Sequence, residues 1–298
     1  MDKQRAIALG TFDGLHRGHW QVLNGTKQGD FTPSVLLFSE HPASVLANAA
    51  PPAICTAQKR ETLLRAAGIA SIYVDFREIM ALSPRAFFEE ILIKRFSAGL
   101  LCCGENYTFG KGKAGNPAVL QALCDEYGVR LCVAKTVKVG GAPVSSTRIR
   151  KALEGGCVEI ANEMLGRPFS YAFPVVAGDK RGRTLQFPTA NQFFPDGFVQ
   201  PKYGVYASFA EIGGKRYPAV TDFGARPTIG TNSVRSETCI LGFSGDLYGQ
   251  SPEIQWLSYL RPEQKFSTLS DLQAAIAEDA ARAEEIFKNT IANGAQTM

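Results

Sequence analysis

GTFDGLHRGH, residues 10–19, lies between a short apolar run at residues 6–9 and a helical pattern that begins with Trp20, Val22 and Leu23. The apolar run predicts a buried strand, so a strand should end where a helix begins. At such a junction the free N–H groups and the positive dipole end of the helix favour phosphate, and glycines let the backbone come close. We therefore expect residues 10–19 to form a nucleotide-binding turn.

Two histidines of this stretch stand three residues apart, and all three histidines of the chain lie within its first 41 residues. The spacing puts His16 and His19 on one face of a helix. Two imidazoles there can donate hydrogen bonds to phosphate oxygens as negative charge develops on a leaving group. Two solvated surface histidines are the alternative, but the position after a strand and behind Phe-Asp-Gly favours a catalytic role for both.

Residues 10–19 resemble the signature of the nucleotidyltransferase superfamily, which transfers AMP from ATP to a phosphate and releases pyrophosphate. The longer form G-x-F-D-G-x-H-x-G-H is similar to that of the FMN adenylyltransferase module of bacterial bifunctional riboflavin kinase and FAD synthetase. The resemblance implies that His16 and His19 are catalytic. The residues that it places on ATP are Gly10, Phe12 and Gly18.

Composition sets broad limits on the protein. The 298 residues are enough for two domains, and 45% hydrophobic with 10% aromatic residues is normal for globular folding. A net charge of +4 favours anionic small ligands over nucleic acid. No signal-peptide core follows the N-terminus and no run of about 18 apolar residues occurs, so we expect a cytoplasmic protein with no membrane partner. The seven cysteines lack C-x-x-C spacing, which predicts buried free thiols.

From residue 6 to about residue 137, strand-like apolar runs alternate with amphipathic segments, as in βαβ units. The further runs that suit buried parallel strands are 34–38, 71–74, 99–103 and 131–133. Ser83 and Pro84 are a good cap and first residue for a helix whose phenylalanines cover one face of the sheet. This rhythm and the resemblance predict a Rossmann-like α/β nucleotidyltransferase domain.

After about residue 167 the chain becomes rich in prolines, glycines and short β-type runs. These runs lie at 173–176, 204–209, 217–221, 237–243 and 254–260. They predict a β-barrel or sandwich, which the resemblance identifies as a riboflavin-kinase barrel. A capping box at residues 270–273 and an apolar stripe of Leu272, Ile276, Ala283 and Phe287 predict a terminal helix. We place the domain boundary between residues 1–166 and 167–298.

A polar, glycine-framed loop follows the strand run at 99–103 and carries Asn106, Tyr107 and Phe109. In an open parallel sheet, ligands bind at the carboxyl ends of the strands. A flavin ring needs aromatic faces and amide partners, although such a loop is often only a turn. In the resembled family a loop at this place contacts the flavin, which implies roles for Asn106 and Phe109.

Residues 145–150, SSTRIR, open the next predicted helix. Positive side chains at a helix N-terminus oppose its dipole, a cost that bound phosphates would offset. A solvated basic turn is the alternative. The hexamer also resembles the second motif of this nucleotidyltransferase branch, which implies that Ser146 and Thr147 bind ATP phosphates and that Arg150 is catalytic.

Residues 38–42, FSEHP, end another predicted strand, where the family usually has Phe-Asp-Pro-His-Pro. The resemblance implies that Phe38 binds flavin and that His41 is a further candidate. Ser39 and Glu40 depart from the pattern.

Residues 178–183, GDKRGR, lead into residues 187–191, FPTAN. Glycines and basic residues followed by a hydroxyl and an amide could bind phosphates and Mg²⁺, which prefers oxygen ligands, although a hairpin with an edge strand is the alternative. Pro-Thr-Ala-Asn after a Gly-Arg turn resembles riboflavin kinase. The resemblance assigns ATP to Gly182, Arg183, Thr189 and Asn191, with Thr189 also on the metal.

The resemblance continues towards the C-terminus in matching order, through residues 204–206, 226–228, 245–249 and 260–262. It places Arg261 on the flavin. Phosphorylation of the ribityl hydroxyl needs a proton acceptor, and no histidine lies in this half of the chain, so a carboxylate must serve. Glu237 aligns with the family's catalytic glutamate, whereas an exposed glutamate paired with Arg235 is the structural alternative.

Two positions depart from the family near the predicted kinase site. Residues 171–175 read YAFPV where a glycine is usual, and Gln186 stands where the family has glycine before Phe-Pro-Thr. Glycine allows close approach to phosphate, so these changes bear on the kinase rate.

The resemblance as a whole predicts a bifunctional enzyme that converts riboflavin to FMN and FMN to FAD, with Mg²⁺, ATP and diphosphate as the other participants. One alternative is an FMN adenylyltransferase with a weak or non-catalytic flavin-binding kinase domain. A flavin carrier or sensor without turnover, and an adenylyltransferase for a non-flavin phosphate, are further alternatives. The sequence predicts no oligomeric state.

Overall fold

The computed structural model describes residues 3–47, 49–176, 189–228 and 231–294. The chain divides into two compact units, Met1–Ser146 and Thr147–Met298. Each unit is built around its own sheet.

The first unit contains a five-stranded parallel sheet in the order β3-β2-β1-β4-β5. Its strands are β1 (Arg5–Ala8), β2 (Thr32–Phe38), β3 (Ala70–Val74), β4 (Ala98–Gly104) and β5 (Arg130–Ala134). The strand order reverses direction between β1 and β4, and open parallel sheets bind ligands beyond the carboxyl ends of the strands at such a switch point. The segments that leave β1 and β4 are residues 10–19 and the loop after Gly104, the two segments that the sequence singles out.

Helices connect and cover these strands. They are α1 (Arg17–Gly25), α2 (Pro42–Ala47), α3 (Ala57–Ala66), α4 (Phe76–Ile79), α5 (Pro84–Ala86) and α6 (Pro117–Tyr127), with a 3₁₀ turn at Lys111–Lys113. A hairpin of β6 (Lys138–Val139) and β7 (Ala142–Pro143) precedes α7 (Ser146–Glu154) and α8 (Val158–Leu165). Apart from Ser146, α7 and α8 group with the second unit, whereas the sequence places the boundary at residue 166.

The helix predicted after Ser83 differs from an ordinary α-helix. The Ser83 hydroxyl accepts a hydrogen bond from the Ala86 N–H at 3.2 Å, so the predicted cap is confirmed. After α5 the chain continues as a π-helix over Phe87–Arg95, a wider turn that sequence periodicity does not reveal. Phe87 and Phe88 are buried against the sheet, as expected.

The second unit contains a curled, half-barrel antiparallel sheet in the order β8-β14-β11-β12-β13-β10-β9. Its strands are β8 (Phe169–Tyr171), β9 (Val175–Val176), β10 (Thr189–Phe193), β11 (Gly204–Ile212), β12 (Lys215–Thr228), β13 (Thr231–Ile240) and β14 (Glu253–Arg261). Helix α9 (Leu269–Gly294) packs on β11, β12 and β14. The predicted order of an α/β domain followed by a mainly β domain with a C-terminal helix is confirmed.

The predicted start of the terminal helix is wrong by two residues. The Thr268 hydroxyl, and not Ser270, accepts the capping hydrogen bond, which comes from the Asp271 N–H at 3.1 Å. Two hydroxyl residues stand close together here, and only the backbone path decides which one caps. The apolar stripe of α9 faces the sheet as expected, with Ala283 fully buried beside Val220 and Leu260.

The cysteines form no disulfide. Four of them are buried as predicted, but Cys132 and Cys239 are partly exposed and Cys157, just before α8, is exposed. The prediction of buried thiols is therefore wrong for Cys157. Within the described ranges, the chain has no helix with the length and apolar character needed to span a bilayer.

Candidate active sites

The turn between β1 and α1 holds two non-glycine residues in the left-handed region. Phe12 has φ 52° and Leu15 has φ 41°, and both side chains are buried in the core. Such conformations cost free energy and persist where the surrounding packing enforces them, typically at functional sites. Gly14, with φ 80°, completes the turn. The backbone of residues 10–19 is therefore held in a strained path that buried side chains enforce.

His16 caps α1. Its Nδ1 accepts a hydrogen bond from the His19 N–H at 3.2 Å, and the two imidazole rings stack with centroids 3.6 Å apart. An Nδ1 atom that accepts carries no proton, so neutral His16 has its proton on Nε2 and can donate from there. A Cβ on Gly18 would lie 3.1 Å from the His16 ring, which explains why a glycine stands there. The two histidines thus form one packed pair at the start of the helix.

Two hydrogen bonds brace this turn. The Asp13 carboxylate accepts from the Ile54 N–H at 3.1 Å, and the Ser146 hydroxyl donates to the Asp13 carbonyl at 3.0 Å. The structure therefore brings Ser146 to the turn, although in a hydrogen bond to the backbone rather than in a cap of its own helix. The roles of Asp13 and Ile54 escaped the sequence analysis, and the Asp-Gly pair inside the motif is the signal that could have revealed the first.

The other predicted phosphate ligands lie further along α7. Thr147 and Arg150 occupy its first turns and belong to the second unit, and the Arg150 side chain is buried.

The predicted flavin loop after β4 is firmly packed. Phe109 is buried against Phe87 and stacks with Tyr107, whose ring centroid lies 5.6 Å away. Burial raises the pKa of Tyr107. Asn106 is exposed at the end of the strand. Of the two residues of this loop that were predicted to bind flavin, Asn106 is accessible and Phe109 is buried.

Residues 38–42 end β2 and begin α2. Phe38 packs edge-on against Phe76 with centroids 5.5 Å apart, and the His41 Nδ1 accepts from the Ala43 N–H at 3.1 Å. Glu40, one of the two departures, forms an exposed ion pair with Arg77 at 2.8 Å. The Glu40 carboxylate thus has an ion-pair partner at the surface.

The predicted kinase residues meet through strand register. Asn191 on β10 lies directly opposite Glu237 on β13, and Thr189 lies opposite Cys239, which places all of them on one face of the sheet. The Asn191 amide donates to the Thr189 hydroxyl at 3.4 Å. Asn191 is 5% exposed, and its Oδ1 has no hydrogen-bond partner among the described residues. A buried amide oxygen left in this way beside a hydroxyl fits a hard cation such as Mg²⁺.

Glu237 pairs with Arg235 on the same strand. The carboxylate accepts from Arg235 Nε at 2.9 Å and from Nη2 at 2.6 Å, and the arginine side chain is buried. The ion pair considered as the structural alternative for Glu237 is therefore present. It also orients the carboxylate on the face that carries Asn191.

Arg261, the predicted flavin ligand at the end of β14, is held by Asp279 on α9. Arg261 Nη2 donates to the carboxylate at 2.8 Å and Nε at 3.1 Å, and its guanidinium lies over the Phe266 ring. Asp279 is 3% exposed and lies between Ile276 and Ala283 on the apolar stripe of the helix. This partner of Arg261 was not predicted from the sequence, although a carboxylate within an apolar stripe is a signal for it.

The chain matches two protein-family models and several relatives. A model described as FAD synthetase matches residues 1–148, and a model described as riboflavin kinase matches residues 165–287. A bifunctional riboflavin kinase/FMN adenylyltransferase of Escherichia coli K12 is 34% identical over 290 residues, covering 94% of this chain and 92% of the relative. The chain belongs to this family. A Bacillus subtilis member is 33% identical over 295 residues, with 95% and 92% covered.

A solved structure has the same fold. It is described as a macrolide-efflux protein from Streptococcus pneumoniae, and it matches with a TM-score of 0.86 and 30% identity over 97% of this chain and 95% of that one.

The two departures from the family pattern near the predicted kinase site differ in what the structure describes of them. Phe173, where the family usually has a nearby glycine, is 8% exposed and packs against Tyr171, Phe194 and Phe198. Phe173 therefore belongs to an aromatic core. Gln186, Gly182 and Arg183 lie outside the described residues.

Proposed function

We propose that the chain catalyses two consecutive ATP-dependent reactions. Riboflavin is phosphorylated to FMN with release of ADP, and AMP is then transferred from a second ATP to FMN, which yields FAD and diphosphate. The observation that carries this proposal is that two family matches occupy separate parts of one chain. The adenylyltransferase domain spans residues 1–166 and the kinase domain residues 167–298, with the intervening α7 and α8 assigned to the former by sequence.

Adenylyl transfer would occur at the turn between β1 and α1. An FMN phosphate oxygen forms a bond to the α-phosphorus of ATP, and the bond from that phosphorus to the departing diphosphate breaks. The His16 Nε2–H and the His19 imidazole would donate to the polyphosphate as negative charge accumulates on it, and their stacking as one pair at the start of α1 supports a shared role. The reaction needs positioning and charge stabilisation and no covalent enzyme intermediate.

Further residues complete this proposed site. The proposed ATP contacts along this turn are Gly10, Phe12 and Gly18. Ser146, Thr147 and Arg150 contact its phosphates, and the flavin is bound by Phe38, Asn106 and, from beneath, Phe109.

Phosphoryl transfer would use the face of β10 and β13. Glu237 accepts the proton of the ribityl hydroxyl as its oxygen attacks the γ-phosphorus of ATP, while Arg235 holds the carboxylate in place. Thr189 and Asn191 would hold Mg²⁺, which neutralises the charge of the ATP phosphates when it is bound. Gly182 and Arg183 would bind the ATP phosphates, and Arg261 the flavin. The proposal includes a cytoplasmic location.

A time course tests the two activities. The purified protein is incubated with ATP and Mg²⁺ and with either riboflavin or FMN, and the flavins are separated by chromatography. We expect riboflavin to yield FMN and then FAD, and a chelator to stop both steps. Conversion of added FMN alone would establish the alternative of an adenylyltransferase with a non-catalytic kinase domain, and no conversion of either flavin would contradict the assignment.

A further inference from the structure

Two cysteines on neighbouring strands of the first unit face each other. Cys102 on β4 and Cys132 on β5 are direct register partners in the parallel sheet. Strands in a sheet lie about 4.8 Å apart, and disulfide-bonded cysteines have Cα atoms about 4.4–6.8 Å apart. The backbone separation of this pair therefore suits a disulfide without a change of register.

Both sulfur atoms also lie close to Gly25. A Cβ on Gly25 would lie 3.1 Å from Cys102 Sγ and 3.2 Å from Cys132 Sγ, so both thiols lie beneath the last residue of α1. Burial and then the neighbouring Cys132 thiol raise the pKa of the Cys102 thiol. Cys103, next in sequence, belongs to the opposite face of the sheet, where its neighbours include Leu101 and Cys124. The dithiol is therefore a defined pair and not a loose collection of cysteines.

The two thiols differ in access. Cys102 is fully buried, and burial raises the pKa of its thiol, so it stays protonated. Cys132 is partly exposed at the edge strand of the sheet. Cys132 is therefore the more exposed of the two cysteines, and Cys102 has Cys132 as its neighbouring thiol.

We propose that Cys102 and Cys132 form a modification site at which a hydroperoxide produces an intrachain disulfide. The Cys132 sulfur attacks the peroxide, which is reduced to an alcohol or water, and becomes a sulfenic acid. The Cys102 sulfur then attacks the Cys132 sulfur while the Cys102 thiol proton passes to the departing sulfenic hydroxyl, so an S–S bond forms and water leaves. Overall, two thiols lose two hydrogen atoms and one peroxide O–O bond is reduced.

The disulfide affects the helix above it. Bond formation brings the sulfurs to about 2.05 Å from each other and so changes the surface on which Gly25 packs. Helix α1 ends at Gly25 and begins beside His16, so a shift of its end is transmitted to the stacked histidines. Oxidation therefore lowers the rate of FMN adenylylation, a consequence that rests on the proposed function.

Peptide mapping tests the bond directly. The full-length protein is treated with hydrogen peroxide, the remaining thiols are alkylated, and a tryptic digest is analysed without reduction. Cys102 and Cys103 lie in peptide 96–111, and Cys132 lies in peptide 131–135. We expect a species that links these two peptides and that loses two hydrogens relative to their sum. Its fragmentation should place the link at Cys102, and it should persist in Cys103→Ser and vanish in Cys102→Ser.

Other outcomes would overturn the site: no linked species while Cys132 becomes sulfinic acid or is alkylated, or a link through Cys103. Because fragmentation of the wild-type species assigns the bond, the conclusion does not depend on whether the variants fold.

Activity tests the consequence. Peroxide should cause a several-fold loss of FMN adenylylation that dithiothreitol reverses, and Cys132→Ser should resist it. An equal loss in Cys132→Ser would refute the link to α1. If the untreated protein does not convert FMN, the proposed function fails, and the linked peptide still decides whether the dithiol forms a disulfide.

Discussion

The first unit and the second unit assemble their candidate sites in different ways. In the first unit, ten consecutive residues supply two histidines, the glycines and the strained turn that holds them. In the second unit, Asn191 and Glu237 come from separate segments of chain and meet only because β10 and β13 pair in one register. A contiguous motif fixes chemistry locally, whereas a site made by strand register depends on the whole sheet. The following changes test this difference.

The largest effect is expected for Glu237→Gln. The amide cannot accept the ribityl proton, so the riboflavin kinase rate should fall by about 10²–10⁴-fold. FMN adenylylation, followed in the same sample by chromatography, should be unchanged. The matched control is Glu211→Gln, a surface glutamate of the same unit, which should retain both activities. Kinase turnover at the wild-type rate in Glu237→Gln would remove this residue from the site.

His16 allows its two roles in the first unit to be separated. His16→Asn keeps a side chain that can cap α1 but loses the imidazole, so FMN adenylylation should fall by about 10²–10³-fold with stability retained. His16→Ala should lose the same activity and, in addition, about 1 kcal/mol of stability because the cap is gone. Rates and urea unfolding of both variants give the comparison. If Asn restores the rate, the histidine acts only as a cap.

Asp279→Asn tests whether α9 secures the second unit. Removal of one charge from a buried ion pair leaves Arg261 without its counter-ion and should cost about 3 kcal/mol of stability. The control Glu284→Gln breaks an exposed pair with Lys288 and should cost about 0.5 kcal/mol or less. Each unit carries one tryptophan, so unfolding of the second can be followed by Trp256 in a Trp20→Phe background. Equal losses in the two variants would contradict the anchoring role.

The smallest effect compares two glycines of the loop after β4. Gly110 and Gly112 both have positive φ, but a Cβ on Gly110 would lie 2.8 Å from the Pro84 nitrogen, whereas one on Gly112 meets nothing within 4 Å. Gly110→Ala should lower the opening free energy of the loop by about 2 kcal/mol, and Gly112→Ala by about 1 kcal/mol, because only the first adds a clash to the backbone strain. Amide hydrogen exchange over residues 104–115 measures both. Similar exchange in the two variants would show that Pro84 does not anchor the loop.

The predictability of each part follows from how it is built. The five parallel strands are apolar runs and were predicted within one or two residues, as was the junction at residues 10–19. The π-helix after Ala86 was missed because it shares its apolar pattern with an α-helix. The Thr268 cap was missed because Thr268 and Ser270 are both suitable hydroxyl caps, and only the backbone conformation distinguishes them.

The sites show the same division. His16 and His19 stand three residues apart in one motif, and the structure stacks their rings. By contrast, the hold of Asp279 on Arg261 and the support of Asp13 by Ile54 join residues far apart in the chain. No local pattern encodes such pairs, although a carboxylate on an apolar stripe indicates that a partner exists.

A complementation assay tests most directly the claim that the two reactions use separate sets of residues. Glu237→Gln and His19→Ala are each incubated with riboflavin, ATP and Mg²⁺, alone and mixed, and FAD is measured by chromatography. We expect neither variant alone to form FAD and the mixture to form it, because FMN made by His19→Ala diffuses to the intact adenylyltransferase of Glu237→Gln. FAD formation by either variant alone, or none in the mixture, would contradict the account.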